Sequence, residues 1–167
     1  MDFQTPPVVA KYMASLMPDH CGTILEPTPG SGNLVRAVTG KGEITAPGNF
    51  ENLPRDSRYD WAIMNPPFTP MKEGYRYLKA VMEMSDNIIA LLPWFILINS
   101  DKRIREIKSF GMVSVTSLPR KAFPSSRIQT CILHLRKGYE GETLFTIFDW
   151  DKTGEQPGSL RLPNVAL

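Results

Sequence analysis

A group of residues able to hold an amino group follows an apolar segment near the middle of the chain. The segment 60–64 is mostly apolar, and Asn65, Pro66, Pro67 and Phe68 come directly after it. Proline has no N–H and cannot lie inside a central strand, so we expect a strand to end here. The Asn65 amide oxygen and the Pro66 carbonyl are two acceptors for one amino group, and Phe68 can stack on a planar ring. The pattern predicts a site that holds an exocyclic amine while a group is transferred to it.

A second candidate site is a glycine-containing loop earlier in the chain. Residues 23–25 predict a short strand, residues 26–33 contain two glycines, and residues 34–38 have a helical pattern. Strand, glycine loop and helix form the nucleotide-binding layout of doubly wound α/β folds. No Lys-Ser/Thr pair follows the loop, so it is not a Walker phosphate loop. The acid at the strand end, Glu26, suits a cationic amino group, and S-adenosylmethionine fits because it carries an α-amino group and a sulfonium.

The spacing of apolar residues predicts the elements that position these two groups. Thr5 is a favourable N-cap and Pro6 a favourable first residue for a helix that ends at Pro18. Strands that alternate with helices, followed by further late strands, predict an α/β fold with a mostly parallel sheet and an antiparallel edge. The other predicted helices are 73–84 and 102–110, and the other predicted strands are 42–47, 60–64, 88–92, 112–118, 128–135 and 144–150.

Length and composition bound the remaining possibilities. The 167 residues, 42% of them hydrophobic, predict one domain at 1–150 and an extended tail at 151–167. A net charge of +2 is too small to indicate a polyanionic partner by itself. Cys21 and Cys131 lack metal-ligand spacing, so we expect no metal site and a reducing compartment. The apolar run 88–98 is too short to cross a bilayer and no signal peptide is present, so we expect a cytoplasmic protein without membrane contact.

Three motifs in this order resemble those of a known enzyme family. Gln4-Thr5-Pro6-Pro7, the loop 26–32 and Asn65-Pro66-Pro67-Phe68 are similar to the motifs of N6-adenine DNA methyltransferases whose amino-terminal Thr-Pro motif precedes the cofactor loop. The resemblance covers roughly residues 2–137. It implies a Rossmann-like S-adenosylmethionine-dependent methyltransferase fold, shortened between the cofactor loop and the Asn-Pro-Pro-Phe motif. It also implies adenine-containing DNA as the substrate, and it leaves open whether the role is in restriction-modification, phage modification or regulation.

The resemblance implies a role for each matching residue. The methionine part of the cofactor would be held by the loop, with help from the amino-terminal motif. Asn49 would bond the cofactor's adenine and Phe50 would pack on it. The Asn-Pro-Pro-Phe motif would hold the N6 amine and stack a target base that has left the duplex. The methionine-binding residues implied in this way are Thr5, Pro6, Glu26, Pro27, Gly30 and Gly32.

Sequence recognition and substrate class are left open by these motifs. We expect no separate target-recognition domain in these 167 residues, so recognition would come from the loops 69–74 and 119–127 or from a partner protein. Arg120, Lys121 and Arg127 lie in the second loop and are candidates for phosphate contacts. Similar motifs occur in RNA adenine and protein amide methyltransferases, and a trimmed, inactive relative acting as a binding subunit is a further alternative.

Overall fold

A seven-stranded mixed sheet runs through residues 3–150, the part of the chain that this computed structural model describes. The predicted tail at 151–167 lies outside the described residues. The strand order is β2-β1-β3-β4-β6-β5-β7. The strands are β1 Thr23–Leu25, β2 Glu43–Thr45, β3 Tyr59–Met64, β4 Ser85–Pro93, β5 Met112–Ser117, β6 Thr130–Arg136 and β7 Leu144–Ile147.

The sheet is mostly parallel, as predicted. Strands β2, β1, β3 and β4 pair in parallel, and β5 pairs in parallel with β7. Only β6 among the described strands runs the other way, and it pairs antiparallel with β4 and with β5. The antiparallel strand is therefore inserted inside the late half of the sheet, and the outermost late strand is the parallel β7.

The described part of the chain also contains five α-helices and two short 3-10 helices. The boundaries of the predicted helices agree with the structure to within a few residues, whereas α4 has no counterpart in the predictions. Helix α4 follows Pro93, which ends β4, and the Trp94 N–H donates to the Gln129 carbonyl at 2.9 Å. The helices are α1 Pro7–Ser15, α2 Asn33–Val38, α3 Met71–Met84, α4 Phe95–Ile98 and α5 Asp101–Phe110, and the 3-10 helices are Phe50–Asn52 and Arg120–Ala122.

The start of α1 differs from the prediction. Pro6, not Thr5, is the N-cap, and the helix begins at Pro7 with no side-chain cap. The Thr5 hydroxyl is instead a partner of Asn65, 60 residues along the chain. The Thr5 side chain is therefore bonded to the Asn65 amide and not to a backbone N–H in the first turn of α1.

The two faces of the sheet are covered by different helices. Successive residues of β4 alternate between the two hydrophobic clusters: Ile89 and Leu91 belong to the cluster with α1 and α2, and Ile88 and Leu92 belong to the cluster with α3 and α5. All four side chains are fully buried. A strand covered on both faces is a continuous apolar run, which is why the sequence of β4 shows no alternation.

One edge of the sheet collects the chain segments that could form a site. The parallel strands β1 to β4 end there, and β6 begins there because Pro93 pairs with Thr130. The chain between α2 and β3 contains only the three-residue β2 and one 3-10 helix, which agrees with the predicted shortening. Within residues 3–150, no helix combines the length and the hydropathy needed to cross a bilayer.

Candidate active site

A cavity of about 900 Å³ opens at the carboxyl ends of β1 and β3. It is lined by the amino-terminal segment 3–5, the loop after β1, the segment after β2, the loop after β3, and Tyr77 of α3. Residues distant in sequence are brought together because parallel strands end at the same edge. The predicted site residues in its lining are Thr5, Glu26, Pro27, Gly30, Asn49, Phe50, Asn65, Pro66, Pro67 and Phe68.

The other predicted site residues lie outside the lining. Pro6 is the N-cap of α1, and Gly32 is the N-cap of α2 with a φ of 84°. Arg120, Lys121 and Arg127 are exposed on the connection between β5 and β6, at the same edge of the sheet as the cavity.

Glu26 is a buried carboxylate in the wall of this cavity. Its exposed fraction is 1%, and one oxygen accepts a hydrogen bond from the Thr28 backbone N–H at 2.8 Å. Burial raises the pKa of Glu26 from 4.5 to about 7, and the hydrogen bonds from Thr28 oppose that rise. Within residues 3–150 no cation is paired with this carboxylate. A cationic ligand in the cavity would supply the positive partner that the described residues do not provide for Glu26.

The glycine loop is tied to the amino-terminal segment. The Gln4 amide oxygen accepts hydrogen bonds from the Ser31 N–H and hydroxyl. Gly30 has a φ of 49°, and a Cβ at this position would lie 3.0 Å from the Gln4 amide nitrogen. Asn33 donates from its side chain to the Thr5 carbonyl at 2.7 Å. The glycine at position 30 therefore permits both the turn and the close approach of the amino-terminal segment.

An aromatic wall closes the cavity on the side of β2. Phe50 is buried and its ring lies 5.4 Å from that of Tyr77. The guanidinium groups of Arg55 and Arg76 lie over these two rings, at 5.5 Å and 4.8 Å from the centroids. Asn49 precedes Phe50, and its side-chain oxygen accepts from the Glu51 N–H at 3.0 Å. The wall therefore consists of two aromatic rings, each covered by a guanidinium group, with the Asn49 amide beside them.

Asn65 lies at the end of β3 with its amide held in one orientation. Its nitrogen Nδ2 donates to the Phe3 carbonyl at 2.7 Å and to the Thr5 hydroxyl at 2.9 Å. The Thr28 hydroxyl donates to the Asn65 carbonyl at 3.3 Å. Both protons of the amide are used, so Oδ1 is left as the side chain's acceptor in the cavity wall.

Phe68 is covered by another aromatic residue. Only 3% of it is exposed, and its ring is stacked on that of Phe3, with centroids 5.9 Å apart and planes inclined by 22°. Phe123, from the connection that carries Arg120 and Arg127, meets Phe3 edge-on at 6.2 Å. Phe3 thus links the Asn-Pro-Pro-Phe motif to that connection.

Phe3 and Tyr77 belong to this site but lie outside the motifs that were recognised in the sequence. Tyr77 has the helical spacing of a core residue, and nothing in its neighbourhood distinguishes it from one. Phe3 precedes the Gln-Thr-Pro-Pro motif and has no periodicity to place it. Both contacts depend on pairings between distant segments, which a local pattern does not reveal.

The other buried polar groups belong to the hydrophobic core. Burial lowers the pKa of His134 to about 4, and the ring lies against Trp61. Burial raises the pKa of the Cys131 thiol to about 12. In the described part of the chain, no group of three or more His, Cys, Asp or Glu side chains is arranged to hold a metal ion.

Solved methyltransferase structures are similar to this one over most of its length. One, described as a candidate class I S-adenosylmethionine-dependent methyltransferase from Listeria monocytogenes, has a TM-score of 0.66 and 16% identity and covers 87% of this chain and 65% of its own. A type I restriction-modification methyltransferase subunit from Streptococcus thermophilus has a TM-score of 0.69 and 16% identity, with coverages of 86% and 46%. The M protein of the type I restriction enzyme EcoKI has a TM-score of 0.63 and 14% identity, with coverages of 84% and 45%.

These similarities concern the fold. The chain spans less than two thirds of the length of each of the three structures. No protein-family model matches the sequence, and no curated protein matches it either. The chain has the Rossmann-like fold of S-adenosylmethionine-dependent methyltransferases, as the sequence predicts.

Proposed function

We propose that this protein transfers a methyl group from S-adenosylmethionine to the N6 amino group of adenine in DNA. The observation that carries the proposal is that one cavity joins the buried Glu26, which has no cationic partner within residues 3–150, to the oriented amide of Asn65. Two of the similar structures are methyltransferase subunits of type I restriction-modification systems, which supports DNA as the substrate.

The cavity residues fit the cofactor. The volume of the cavity, about 900 Å³, lies in the usual range for sites that bind small molecules. Glu26 would pair with the α-amino group, and the backbone of Gly30 in the cavity lining would contact the methionine part of the cofactor. Phe50 would pack on the adenine, and the Asn49 oxygen would accept from its amine through its second lone pair. The bound cofactor supplies an activated methyl group on a sulfonium.

The chain's own part in the transfer is to hold and polarise the amine. The lone pair of an aromatic amine is delocalised into the ring, so the amine is a poor nucleophile. Asn65 Oδ1 and the Pro66 carbonyl would accept its two N–H groups, favour a tetrahedral nitrogen and stabilise the developing positive charge. Pro67 stiffens the turn that holds these acceptors in place. Positioning supplies most of the remaining rate enhancement.

The target base would reach the site by leaving the duplex. Phe68 would stack on it, which requires Phe3 to move from the face that it covers. Arg120, Lys121 and Arg127 would contact the phosphates around the flipped nucleotide, because their connection lies at the edge of the sheet where the cavity opens. A partner protein would supply any sequence recognition beyond these loops.

Methyl transfer from isotopically labelled S-adenosylmethionine to adenine-containing DNA tests the proposal. We expect the intact chain to label DNA at N6, and Asn65→Ala to lower kcat by about 100-fold or more, because one of the two acceptors is lost. Asn87→Ala is the matched control, since Asn87 lies at the opposite end of the sheet and donates to the Asp60 carbonyl.

Two outcomes would contradict the proposal. Transfer to RNA or protein but not to DNA would assign the same site to another substrate. Saturating cofactor without transfer to any of the three would reject the activity and favour a binding subunit.

A further inference from the structure

Residues Phe3, Gln4 and Thr5 form a strap that contacts both halves of the cavity. On one side, Gln4 accepts from Ser31 in the glycine loop. On the other side, the Phe3 carbonyl and the Thr5 hydroxyl both accept from Asn65 Nδ2. Three consecutive residues therefore connect the cofactor loop with the acceptor of the target amine.

The strap determines which way the Asn65 amide faces. A backbone carbonyl can only accept, so the atom 2.7 Å from the Phe3 oxygen must be the NH₂ group. Turning the amide over would place Oδ1 against the Phe3 carbonyl oxygen and leave that carbonyl without a donor. In the observed orientation, the Thr5 hydroxyl accepts the other amide proton. The Thr5 hydroxyl provides the second acceptor, and its side chain is 3% exposed, so solvent is poorly placed to replace it.

We propose that Thr5 is a positioning residue for methyl transfer, acting through Asn65 by holding its amide with Oδ1 towards the substrate. The inference rests on the proposed function, and it assigns Thr5 a role in the catalytic half of the site in addition to the cofactor half. Loss of the hydroxyl lowers the fraction of molecules in which Oδ1 can accept from the amine. The effect appears in kcat more than in the affinity for the cofactor.

Substitution of Thr5 by valine and by serine separates this role from a structural one. Valine keeps the shape of threonine without the hydroxyl, and serine keeps the hydroxyl without the methyl group. We expect Thr5→Val to lower kcat about tenfold with less than a threefold change in the KM for S-adenosylmethionine, and Thr5→Ser to recover most of kcat. Thr39→Val is the matched control, because among residues 3–150 the hydroxyl of Thr39, the C-cap of α2, bonds only the Val35 carbonyl.

A double-mutant cycle tests whether Thr5 acts through Asn65. In an Asn65→Ala background, Thr5→Val should have no further effect on residual transfer, because the group that it positions is absent. Additive losses, or a loss confined to the KM for the cofactor, would overturn the inference.

A measurement without turnover keeps the inference testable if no methyl transfer is found. The side-chain amide signal of Asn65 in an NMR spectrum of isotopically labelled protein is identified by its disappearance in Asn65→Ala. We expect Thr5→Val, but not Thr39→Val, to shift one of its two protons and to speed its exchange with water. An unchanged Asn65 signal in Thr5→Val would overturn the positioning role, whereas absent transfer with a shifted signal would reject only the proposed activity.

Discussion

The burial of the Glu26 carboxylate is unfavourable for folding, and a bound cation would offset this effect. Its side chain is buried beside a backbone N–H but without a cation in the described residues, and its pKa is raised to about 7. Burying an unpaired charge is unfavourable, so a substantial fraction of the Glu26 side chains stays protonated near neutral pH in the folded protein. A bound ammonium group would stabilise the carboxylate and lower that pKa again.

The raised pKa of Glu26 predicts a pH-dependent stability. The folded state binds the proton more tightly than the unfolded state, so the free energy of unfolding falls as pH rises from about 4.5 to about 7. The rise in the pKa of Glu26 corresponds to about 3 kcal/mol of unfolding free energy. This contribution is present at low pH and is fully lost above about pH 7. We expect Glu26→Gln to lack this loss, and to be more stable than the unmodified chain at pH 8 by roughly that amount. Denaturant unfolding at pH 5 and pH 8 measures it.

Glu43→Gln is the control for this experiment, because it removes an exposed carboxylate from β2. Its unfolding free energy should follow the pH dependence of the unmodified chain within about 0.5 kcal/mol. The same pH dependence in Glu26→Gln and in the unmodified chain would show that Glu26 does not carry the effect.

Residue types alone were enough to single out Glu26 and Asn65 as candidates. An acid at a strand end before a glycine loop, and an amide before two prolines, each have a chemical reason that can be read locally. The partner of Thr5 could not be predicted in this way, because a hydroxyl before two prolines is an equally good helix cap. The fold shows that the Thr5 hydroxyl accepts a hydrogen bond from the Asn65 side chain.

At the scale of elements, the proposed function assigns contact with DNA to the connection between β5 and β6. Leu118, Ala122 and Phe123 anchor it in the core, and Phe123 also touches Phe3 at the cavity. The exposed Arg120 and Arg127 are therefore presented on an anchored connection at the rim of the site.

Removing these two arginines should weaken DNA binding in a salt-dependent way. For Arg120→Ala/Arg127→Ala we expect the slope of log K against log salt concentration to become shallower by roughly 2, because each phosphate contact contributes about 0.9. Affinity for S-adenosylmethionine should not change. Fluorescence anisotropy with labelled DNA over a range of salt concentrations provides the slope.

The control double variant is Arg58→Ala/Arg136→Ala, which removes the same charge from the opposite end of the sheet. If it reduces the slope as much as the first variant does, then net charge, and not the connection between β5 and β6, explains the binding.

Elements with a strong local signal were predicted, and those set by distant contacts were not. The apolar run of β4 and the helical spacing of α3 need no tertiary information. Helix α4 was missed because its apolar residues, 95–98, carry no helical periodicity. Its packing is seen only in the fold, where Ile96 lies against Gly74 of α3.

At the scale of the whole molecule, the order of the motifs predicted that they would meet. Parallel strands end at one edge, so the loops after β1 and β3 were expected at the same edge of the sheet. That β1 and β3 are adjacent strands is seen in the fold. The shortened link between them was also predicted from its length. The position of β6 inside the sheet could not be, because it depends on pairing with both β4 and β5, and a sequence pattern does not specify which strands pair.

The central claim is that one cavity holds the methyl donor beside the acceptor of the target amine. Calorimetric titration with S-adenosylmethionine, at about pH 6 and about pH 7.5, tests it most directly. We predict binding that is several-fold tighter at the higher pH, because Glu26 must lose its proton to pair with the ammonium group. Glu26→Gln should bind much more weakly and without this pH dependence, and Asn65→Ala should bind as the unmodified chain does.

The contradicting result is equally definite. If the unmodified chain gives no heat up to millimolar cofactor, or if Glu26→Gln binds with unchanged affinity at both pH values, the cavity is not the site of the methyl donor.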